Sequence, residues 1–192
     1  MLFWALLAGF PLAAQALTFS TVILDAGHGG HDPGAYWHGI TEKRLALDVA
    51  LRVEKLLKAR GLRVVMTRRT DVFVTLDGRC RTANRYSRSV FVSINFNANR
   101  KTSIHGMEVY YRSSRGKILA SSILRSMNRR VKGTYRGIYS RNFKVLRDTA
   151  MPAAVIECGY LSNRTENYRC NTPAHRQAIA EGIVAGIMAV RG

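Results

Sequence analysis

Four polar residues of this sequence lie where predicted strands end or a predicted helix begins: His28, Glu42, Asn95 and Glu157. Imidazole and carboxylate groups can bind a metal ion or transfer protons in a hydrolytic reaction. Each residue alone also has a simpler explanation. A carboxylate in the first turn of a helix is favoured by the helix dipole, and a single histidine in a loop is usually solvated. Taken singly, none of the four establishes a site.

Glu157 is the most informative of them because it follows the apolar run Ala153–Ile156. Charged side chains are almost never fully buried without a partner, so this carboxylate is expected to face a cleft, a cation or a metal. Side chains alternate along a strand, so Glu157 and Cys158 should point to opposite faces of a sheet. Cys158 would then be a packed residue and not a nucleophile.

The elements that must position these residues alternate between strands and helices. Apolar spacing predicts helices over 43–60, 78–88, 115–131 and 173–190. Short apolar runs predict strands over 21–25, 63–67, 90–95, 107–111, 143–147 and 153–158. This order predicts a single α/β domain with a mixed, mostly parallel twisted sheet of about six strands and helices on both faces. In such sheets ligands bind just beyond the strand ends.

The chain has 192 residues, of which 47% are hydrophobic, and a formal charge of +18. A disordered chain is thereby excluded, and a polyanionic partner is indicated: nucleic acid, an anionic membrane surface or acidic cell-wall polymer. Residues 1–16 are uncharged and end in Ala14-Gln15-Ala16, which is typical of a cleaved export signal, although no Lys or Arg precedes the apolar run. The alternative is an uncleaved N-terminal anchor. Export disfavours nucleic acid as the partner.

Three cysteines, Cys80, Cys158 and Cys170, allow at most one intramolecular disulfide in an exported chain. Their spacing excludes a C-x-x-C zinc or redox motif. Since Cys158 lies in an apolar run, Cys80–Cys170 is the candidate disulfide, although connectivity is not readable from sequence.

The segment Val22–Ala35, VILDAGHGGHDPGA, resembles the opening motif of the zinc-dependent N-acetylmuramoyl-L-alanine amidases, the cell-wall hydrolases often called the amidase-3 family. The likeness continues through Thr41–Lys43, Thr67-Arg68, Phe91–Ile94, Val145–Arg147 and Pro152–Asn163. It covers residues 20–190 in order. The resemblance therefore implies that residues 17–192 form an amidase-3 catalytic domain.

The resemblance also implies a site with one zinc ion, held by His28, by Glu42 and by a residue at the end of the third strand. Glu157 would be the catalytic base, and Arg147 and Asn97 would bind substrate. The bond cut would join the lactyl group of N-acetylmuramic acid to L-alanine of the stem peptide. The expected partner is peptidoglycan, for a monomer exported to the periplasm or cell envelope, with no nucleic acid and no membrane span after signal cleavage.

One position departs from the family pattern, because Asn95 stands where the family has its second histidine ligand. A neutral amide oxygen is a weak donor for zinc and suits harder cations better, so the zinc affinity should fall. His31 and His105 are the first candidates for a substitute ligand, ahead of His38 and His175.

Three explanations of Asn95 stay open: a weak zinc amidase that uses the amide, a pseudoenzyme that only binds glycan, and an introduced His-to-Asn exchange. The presence of His28, Glu42 and Glu157 together favours the first and the third. A nucleic-acid-binding module is the remaining alternative and rests on charge alone.

The interval from Asn95 to Val145 already holds a predicted strand and helix. It leaves little room for the site-blocking helix that division-type members of the family carry, so an open cleft is expected. The basic helix over 115–131 could hold anionic wall polymer or could form an ordinary solvated face.

Overall fold

The computed structural model describes residues 16–192. The predicted export segment 1–16 therefore lies outside the described residues, apart from Ala16. Within residues 16–192, no helix combines the length and the apolar character needed to cross a bilayer.

Strands and helices alternate along the described chain. The strands are β1 (Thr21–Ala26), β2 (Tyr36–Trp37), β3 (Ile40–Thr41), β4 (Arg63–Met66), β5 (Ser89–Asn97), β6 (Met107–Tyr111), β7 (Tyr135–Ser140) and β8 (Ala153–Tyr160). The helices are α1 (Glu42–Lys58), α2 (Leu76–Asn84), α3 (Ser114–Asn128), α4 (Lys144–Arg147), α5 (Arg164–Asn171) and α6 (Pro173–Ala189).

Six of the strands form one sheet in the order β4-β1-β5-β8-β6-β7. The strands β4, β1, β5 and β8 are parallel, β6 runs antiparallel to β8, and β7 is parallel to β6. The predicted α/β class and the mostly parallel six-stranded sheet are confirmed. Because parallel strands end at the same edge, the turns after β1, β5 and β8 meet on one side of the molecule.

The two faces of the sheet are covered differently. On the first face α1, α3 and α6 bury a large apolar cluster that includes Val92, Ile94 and Ile156. On the second face α2 and α4 cover a smaller cluster that includes Phe91 and Val155. Because side chains alternate along each strand, the polar residues at the carboxyl end of the second face lie beyond this smaller cluster.

Residues 143–147, predicted to be a strand, form the helical turn α4 instead. The backbone N–H groups of Leu146 and Arg147 both donate to the carbonyl oxygen of Phe143 at 2.9 Å, so they bond within the turn and not to a neighbouring strand. One of the two edge strands of the sheet is β7, which was not predicted from the sequence. Short apolar runs do not distinguish a strand from a turn of helix by periodicity alone.

The candidate disulfide Cys80–Cys170 is wrong, because all three cysteines are free and buried. Cys80 packs in the cluster on the second face, whereas Cys158 and Cys170 pack in the cluster on the first. The sheet separates Cys80 from Cys170, and a disulfide needs Cα atoms within about 7 Å of each other. Cys158 lies on the packed face, as the alternation rule predicted.

A buried ion pair holds the carboxyl end of β1. The side chain of Asp25 is 2% exposed, and its Oδ1 accepts hydrogen bonds from Arg79 Nη1 at 2.6 Å and Thr67 Oγ1 at 2.7 Å. Arg79 also donates to the carbonyl oxygens of Ala26 at 2.7 Å and His28 at 2.8 Å. One guanidinium thus joins α2 to the turn that follows β1.

A second buried guanidinium holds the same turn from the other side. Arg68 donates to the carbonyl oxygens of Ala26 at 2.9 Å, Gly27 at 2.7 Å and Lys43 at 2.9 Å. The turn after β1 is therefore tied to β1, α1 and α2 by charge-assisted hydrogen bonds, which are stronger than neutral ones.

We expect Arg79→Met to lower the free energy of unfolding by about 3–5 kcal/mol, because it leaves the Asp25 carboxylate buried without its partner. The measurement is urea denaturation followed by circular dichroism. The matched control is the Asp25→Asn/Arg79→Met double variant, which removes both charges and should lose less than the sum of the two single variants. Strictly additive losses would contradict a coupled pair.

Candidate active site

An open cleft of about 460 Å³ lies on the second face of the sheet, at the carboxyl ends of β1, β5 and β8. Its lining includes three of the four polar residues singled out from the sequence, His28, Asn95 and Glu157. Phe73 and Phe143 form part of its wall and are 42% and 41% exposed. The cleft therefore combines a polar floor with an apolar rim.

His28 lies in the turn after β1 with a φ of 58°, a left-handed conformation that is uncommon for a residue with a side chain. Its Nδ1 is 2.8 Å from Asp32 Oδ2, and its Nε2 is 3.1 Å from Glu42 Oε2. The hydrogen bond to Glu42 raises the pKa of His28 to about 9 in spite of burial, and Asp32 adds to the effect. The imidazole is thus held between two carboxylates.

Glu42 is the first residue of α1, and its side chain is buried. Its Oε2 accepts a hydrogen bond from the backbone N–H of Ala35, and its Oε1 accepts one from Phe96, both at 2.9 Å. Gly34 makes the approach of Glu42 to His28 possible, because a Cβ at position 34 would lie 2.5 Å from Glu42 Oε2. The carboxylate is fixed before any ligand arrives.

Asn95, on β5, is joined to the buried network around Asp25. Ser93 Oγ donates to Asp25 Oδ2 at 2.7 Å, so its lone pair is free to accept from Asn95 Nδ2 at 3.0 Å. The other atom of the amide, Oδ1, lies against Gly27, where an added Cβ would come within 1.9 Å of it. The amide oxygen of Asn95 is thereby directed to the turn that carries His28.

Glu157 lies on β8, between β5 and β6. In the strand pairing it is opposite Asn95 on β5 and opposite Glu108 on β6. The residue lines the cleft, but its Oε2 is buried and has no hydrogen-bond partner among residues 16–192. Burial raises the pKa of Glu157 well above its usual value, and the charges of Glu42 and Glu108 raise it further. This is the one buried side-chain N or O atom in the described part of the chain that lacks a partner.

The opposing carboxylate, Glu108, is buried but well supplied with donors. Tyr110 Oη and Arg136 Nε donate to it, as does Tyr160 Oη at 3.0 Å. The sequence analysis did not single out Glu108. Both oxygens of Glu108 therefore have donors, whereas Glu157 Oε2 has none among residues 16–192.

The two predicted substrate-binding residues are not among those that line the cleft. The Arg147 guanidinium is exposed and pairs with Asp148, with Nε 2.8 Å from Oδ1. The side chain of Asn97 accepts a hydrogen bond from the backbone N–H of Ala98 at 2.8 Å. Both assignments remain predictions.

The four candidates for a substitute ligand are also absent from the lining: His31, His38, His105 and His175. The ring of His31 packs against Phe73 with centroids 4.1 Å apart, and His105 Nδ1 is 2.8 Å from the carbonyl oxygen of Ser103. His175 lies in the first turn of α6, where its backbone N–H donates to Thr172 Oγ1 at 3.3 Å. None of these four histidines therefore lines the cleft beside Asn95 as a substitute ligand.

Sequence reasoning missed the network beneath the site. Asp25 ends an apolar run in the same way as Glu157, so the burial rule applied to Glu157 would also have selected it. Arg79 offers no such signal, because it lies among polar residues of α2 and meets Asp25 across 54 positions of sequence. Phe73 and Phe143 likewise become rim residues only through the fold.

The donor set fits a divalent cation with two strong ligands and one weak ligand. The imidazole of His28 and the carboxylate of Glu42 are common zinc ligands and lie side by side, whereas the Asn95 amide is a poorer one. Among residues 16–192 no group of three or more His, Cys, Asp and Glu side chains is placed to hold a metal. A histidine at position 95 would supply the third strong ligand for such a cation.

Known proteins resemble this chain over most of its length. A family model described as N-acetylmuramoyl-L-alanine amidase matches residues 22–189. The probable cell wall amidase LytH of Staphylococcus epidermidis is 34% identical over 179 residues, which is 92% of this chain and 60% of that protein. The uncharacterized protein YqiI of Bacillus subtilis is 33% identical over 185 residues, which is 94% of this chain and 89% of that protein. The chain thus spans about 60% of the length of the LytH relatives.

Solved structures show the same fold. The catalytic domain of CwlV, an N-acetylmuramoyl-L-alanine amidase from Bacillus (Paenibacillus) polymyxa var. colistinus, superposes with a TM-score of 0.86 at 37% identity, covering 90% of this chain and 100% of that one. The amidase AmiC2 of Nostoc punctiforme gives a TM-score of 0.86 at 34% identity, covering 91% and 97%. With the family model matched along almost the whole described chain, this protein belongs to the N-acetylmuramoyl-L-alanine amidase family.

Proposed function

We propose that this chain hydrolyses the amide between N-acetylmuramic acid and L-alanine of peptidoglycan stem peptides, as an exported monomer of the cell envelope. The observation that carries the proposal is the orphan carboxylate of Glu157, which lines an open cleft together with His28. A buried carboxylate without a partner is costly, and groups of this kind concentrate at catalytic sites. The family membership supplies the substrate class.

Zinc is the cofactor that we propose for the reaction. When bound, it would polarise the scissile carbonyl and lower the pKa of the attacking water. His28 Nε2 and Glu42 Oε2 would hold it, and Asn95 Oδ1 would take the third protein position. Asp32 orients the imidazole through Nδ1, and two backbone N–H groups orient Glu42.

Glu157 would transfer the proton. It accepts the proton of the attacking water and returns it to the leaving amine of L-alanine. A carboxylate that has accepted a proton as a base can return it as an acid in the next step. Its fixed place between β5 and β6 limits reorientation between the two steps.

The rim of the cleft would hold the substrate. Phe73, Leu76 and Phe143 are large exposed apolar residues around a polar floor, and aromatic faces pack well against sugar rings and peptide side chains. Arg147 follows the cleft residue Val145 by two positions, so we propose that it contacts parts of the substrate that extend beyond the cleft.

A second candidate function is favoured by one observation, the amide at position 95. A protein of this fold with too little zinc affinity would bind peptidoglycan without cleaving it. The two candidates differ in metal content and in the release of stem peptide, and two variants separate them.

We expect Asn95→His to raise the zinc affinity by at least about 10-fold, because an imidazole replaces a weak amide donor. The measurement is a competition titration with a chromophoric chelator, followed by chromatography of stem peptide released from a soluble muropeptide. Asn95→Ala is the control and should bind zinc no better than the wild type. If Asn95→His gains no affinity, the assignment of position 95 to a zinc site is wrong.

We expect Glu157→Gln to lower kcat by about 10²–10⁴-fold while the zinc affinity stays close to that of the parent, because the amide cannot accept the proton of the water. Kinetics on the Asn95→His background ensure a measurable starting rate. Glu181→Gln, at an exposed position of α6, is the matched control and should keep the parent rate. Unchanged kcat in Glu157→Gln would remove Glu157 from the mechanism.

If the wild type releases no stem peptide at saturating zinc and Asn95→His does, the wild type is the peptidoglycan-binding protein of the second candidate. If neither protein releases stem peptide, the proposed hydrolysis is wrong for this chain.

A further inference from the structure

The positive charge of the chain is concentrated in one continuous segment. Residues 109–147 contain 11 Lys and Arg and no Asp or Glu. The other 153 residues contain 19 Lys and Arg and 12 Asp and Glu, a net charge of +7. More than half of the total of +18 therefore belongs to about a fifth of the sequence.

The fold places this segment around the β7 end of the sheet, with α3 on the first face and α4 on the second. It forms the end of β6, all of α3, the edge strand β7 and α4, and α3 packs against both β6 and β7. We call its unpaired exposed cations the basic edge: Arg112, Arg115, Lys117, Arg125, Arg129, Arg130, Lys132 and Arg141.

The charges of these eight cations are not neutralised by carboxylates of the fold. Within residues 16–192 none of them forms an ion pair, whereas the other three cations of the segment do: Arg136 with Glu108, Lys144 with Asp77 and Asp148, and Arg147 with Asp148. Like charges at this density repel one another, so the basic edge lowers stability slightly unless an anion covers it.

The basic edge lacks the apolar anchors of a membrane-binding surface. The large exposed apolar residues of the described chain are Tyr36, Leu51, Val72, Phe73, Leu76, Phe143 and Tyr168. Of these only Phe143 lies in the segment 109–147, and it belongs to the wall of the cleft. A surface of exposed arginines without apolar side chains to insert suits an extended polyanion better than a bilayer.

The basic edge also adjoins the cleft. The Arg141 guanidinium lies over the rings of Tyr110 and Tyr139, 5.5 Å from each centroid. Tyr110 in turn packs edge-on against Phe143, with centroids 5.2 Å apart. Of the basic edge, Arg141 is therefore the residue that lies beside the Phe143 wall of the cleft.

We propose that the basic edge binds the peptidoglycan sacculus through the free carboxylates of stem peptides other than the one in the cleft. The choice of partner rests on the proposed function, since the polymer that continues out of the cleft is the substrate itself. Six of the eight cations are arginines, whose planar guanidinium can bind a carboxylate with two parallel hydrogen bonds. The surface would hold the protein on its substrate between cleavages.

The test is co-sedimentation with purified sacculi from which wall phosphate polymers have been removed, on the Glu157→Gln background so that the sacculi stay intact. The edge variant is Arg125→Gln/Arg129→Gln/Arg130→Gln. The matched control is Lys55→Gln/Arg81→Gln/Arg85→Gln, which removes the same charge from exposed positions on and beside α1 and α2. Each protein is tested on untreated sacculi and on sacculi whose carboxylates have been amidated with a carbodiimide and ammonia.

We expect the edge variant to bind about 10-fold more weakly or worse at 50 mM salt, and the control to stay within about 2-fold of the parent. Amidation should weaken the parent to the level of the edge variant, and added salt should do the same. Equal losses in the edge variant and the control would show that net charge alone matters and would overturn the proposal. Parent binding that survives amidation, or that appears only on sacculi with their phosphate polymers, would overturn the choice of carboxylates.

Failure of this proposal and failure of the proposed hydrolysis are distinguishable. Sacculus binding is measured without turnover, and hydrolysis is measured on a soluble muropeptide that carries a single stem peptide. A protein that binds sacculi through the basic edge and releases no stem peptide supports this inference and contradicts the hydrolysis.

Discussion

The buried pair of Asp25 and Arg79 is the interaction on which the site depends. It neutralises a carboxylate at the end of β1 and turns the remaining donors of the guanidinium toward the carbonyl oxygens of the next turn. Without Arg79 the carbonyl oxygen of His28 would lose the hydrogen bond that helps to hold this residue at a φ of 58°. The position of the imidazole is therefore a consequence of electrostatics below the cleft floor.

The same network explains how the fold accommodates an amide at position 95. Ser93 gives its proton to Asp25 and accepts one from Asn95, so the Asn95 side chain has a fixed partner on the network side. Its oxygen is left facing the turn of His28. The exchange of an imidazole for an amide changes the donor strength of the site without leaving a buried polar group unsatisfied, which would cost about 1–3 kcal/mol. The stability of the fold therefore does not require a histidine at position 95.

Much of the fold and part of the site follow from local patterns in the sequence. The alternation rule correctly placed Glu157 in the cleft and Cys158 in the core, because strand geometry fixes the two faces. The edge strand β7 was not predicted, because its residues are mostly half-exposed and Gly137 interrupts the pattern. The ion pair of Asp25 with Arg79 was not predicted, because it depends on tertiary structure and no local spacing indicates it. The distances between Glu157, Glu108 and Asn95 are likewise set by strand order, which the sequence does not state.

Charge in this protein serves two separate purposes, and burial divides them. Inside the domain, Arg68 is matched to carbonyl oxygens and Arg79 to carbonyl oxygens and the Asp25 carboxylate, so both guanidinium groups serve to hold the turn after β1. At the surface, the segment 109–147 has no carboxylates and leaves eight cations unmatched. Because the interior pairs are satisfied and the surface cations are not, the total of +18 describes the basic edge more than the site. The chemistry of the cleft depends on the opposite condition, a single carboxylate at Glu157 that the protein leaves without a partner.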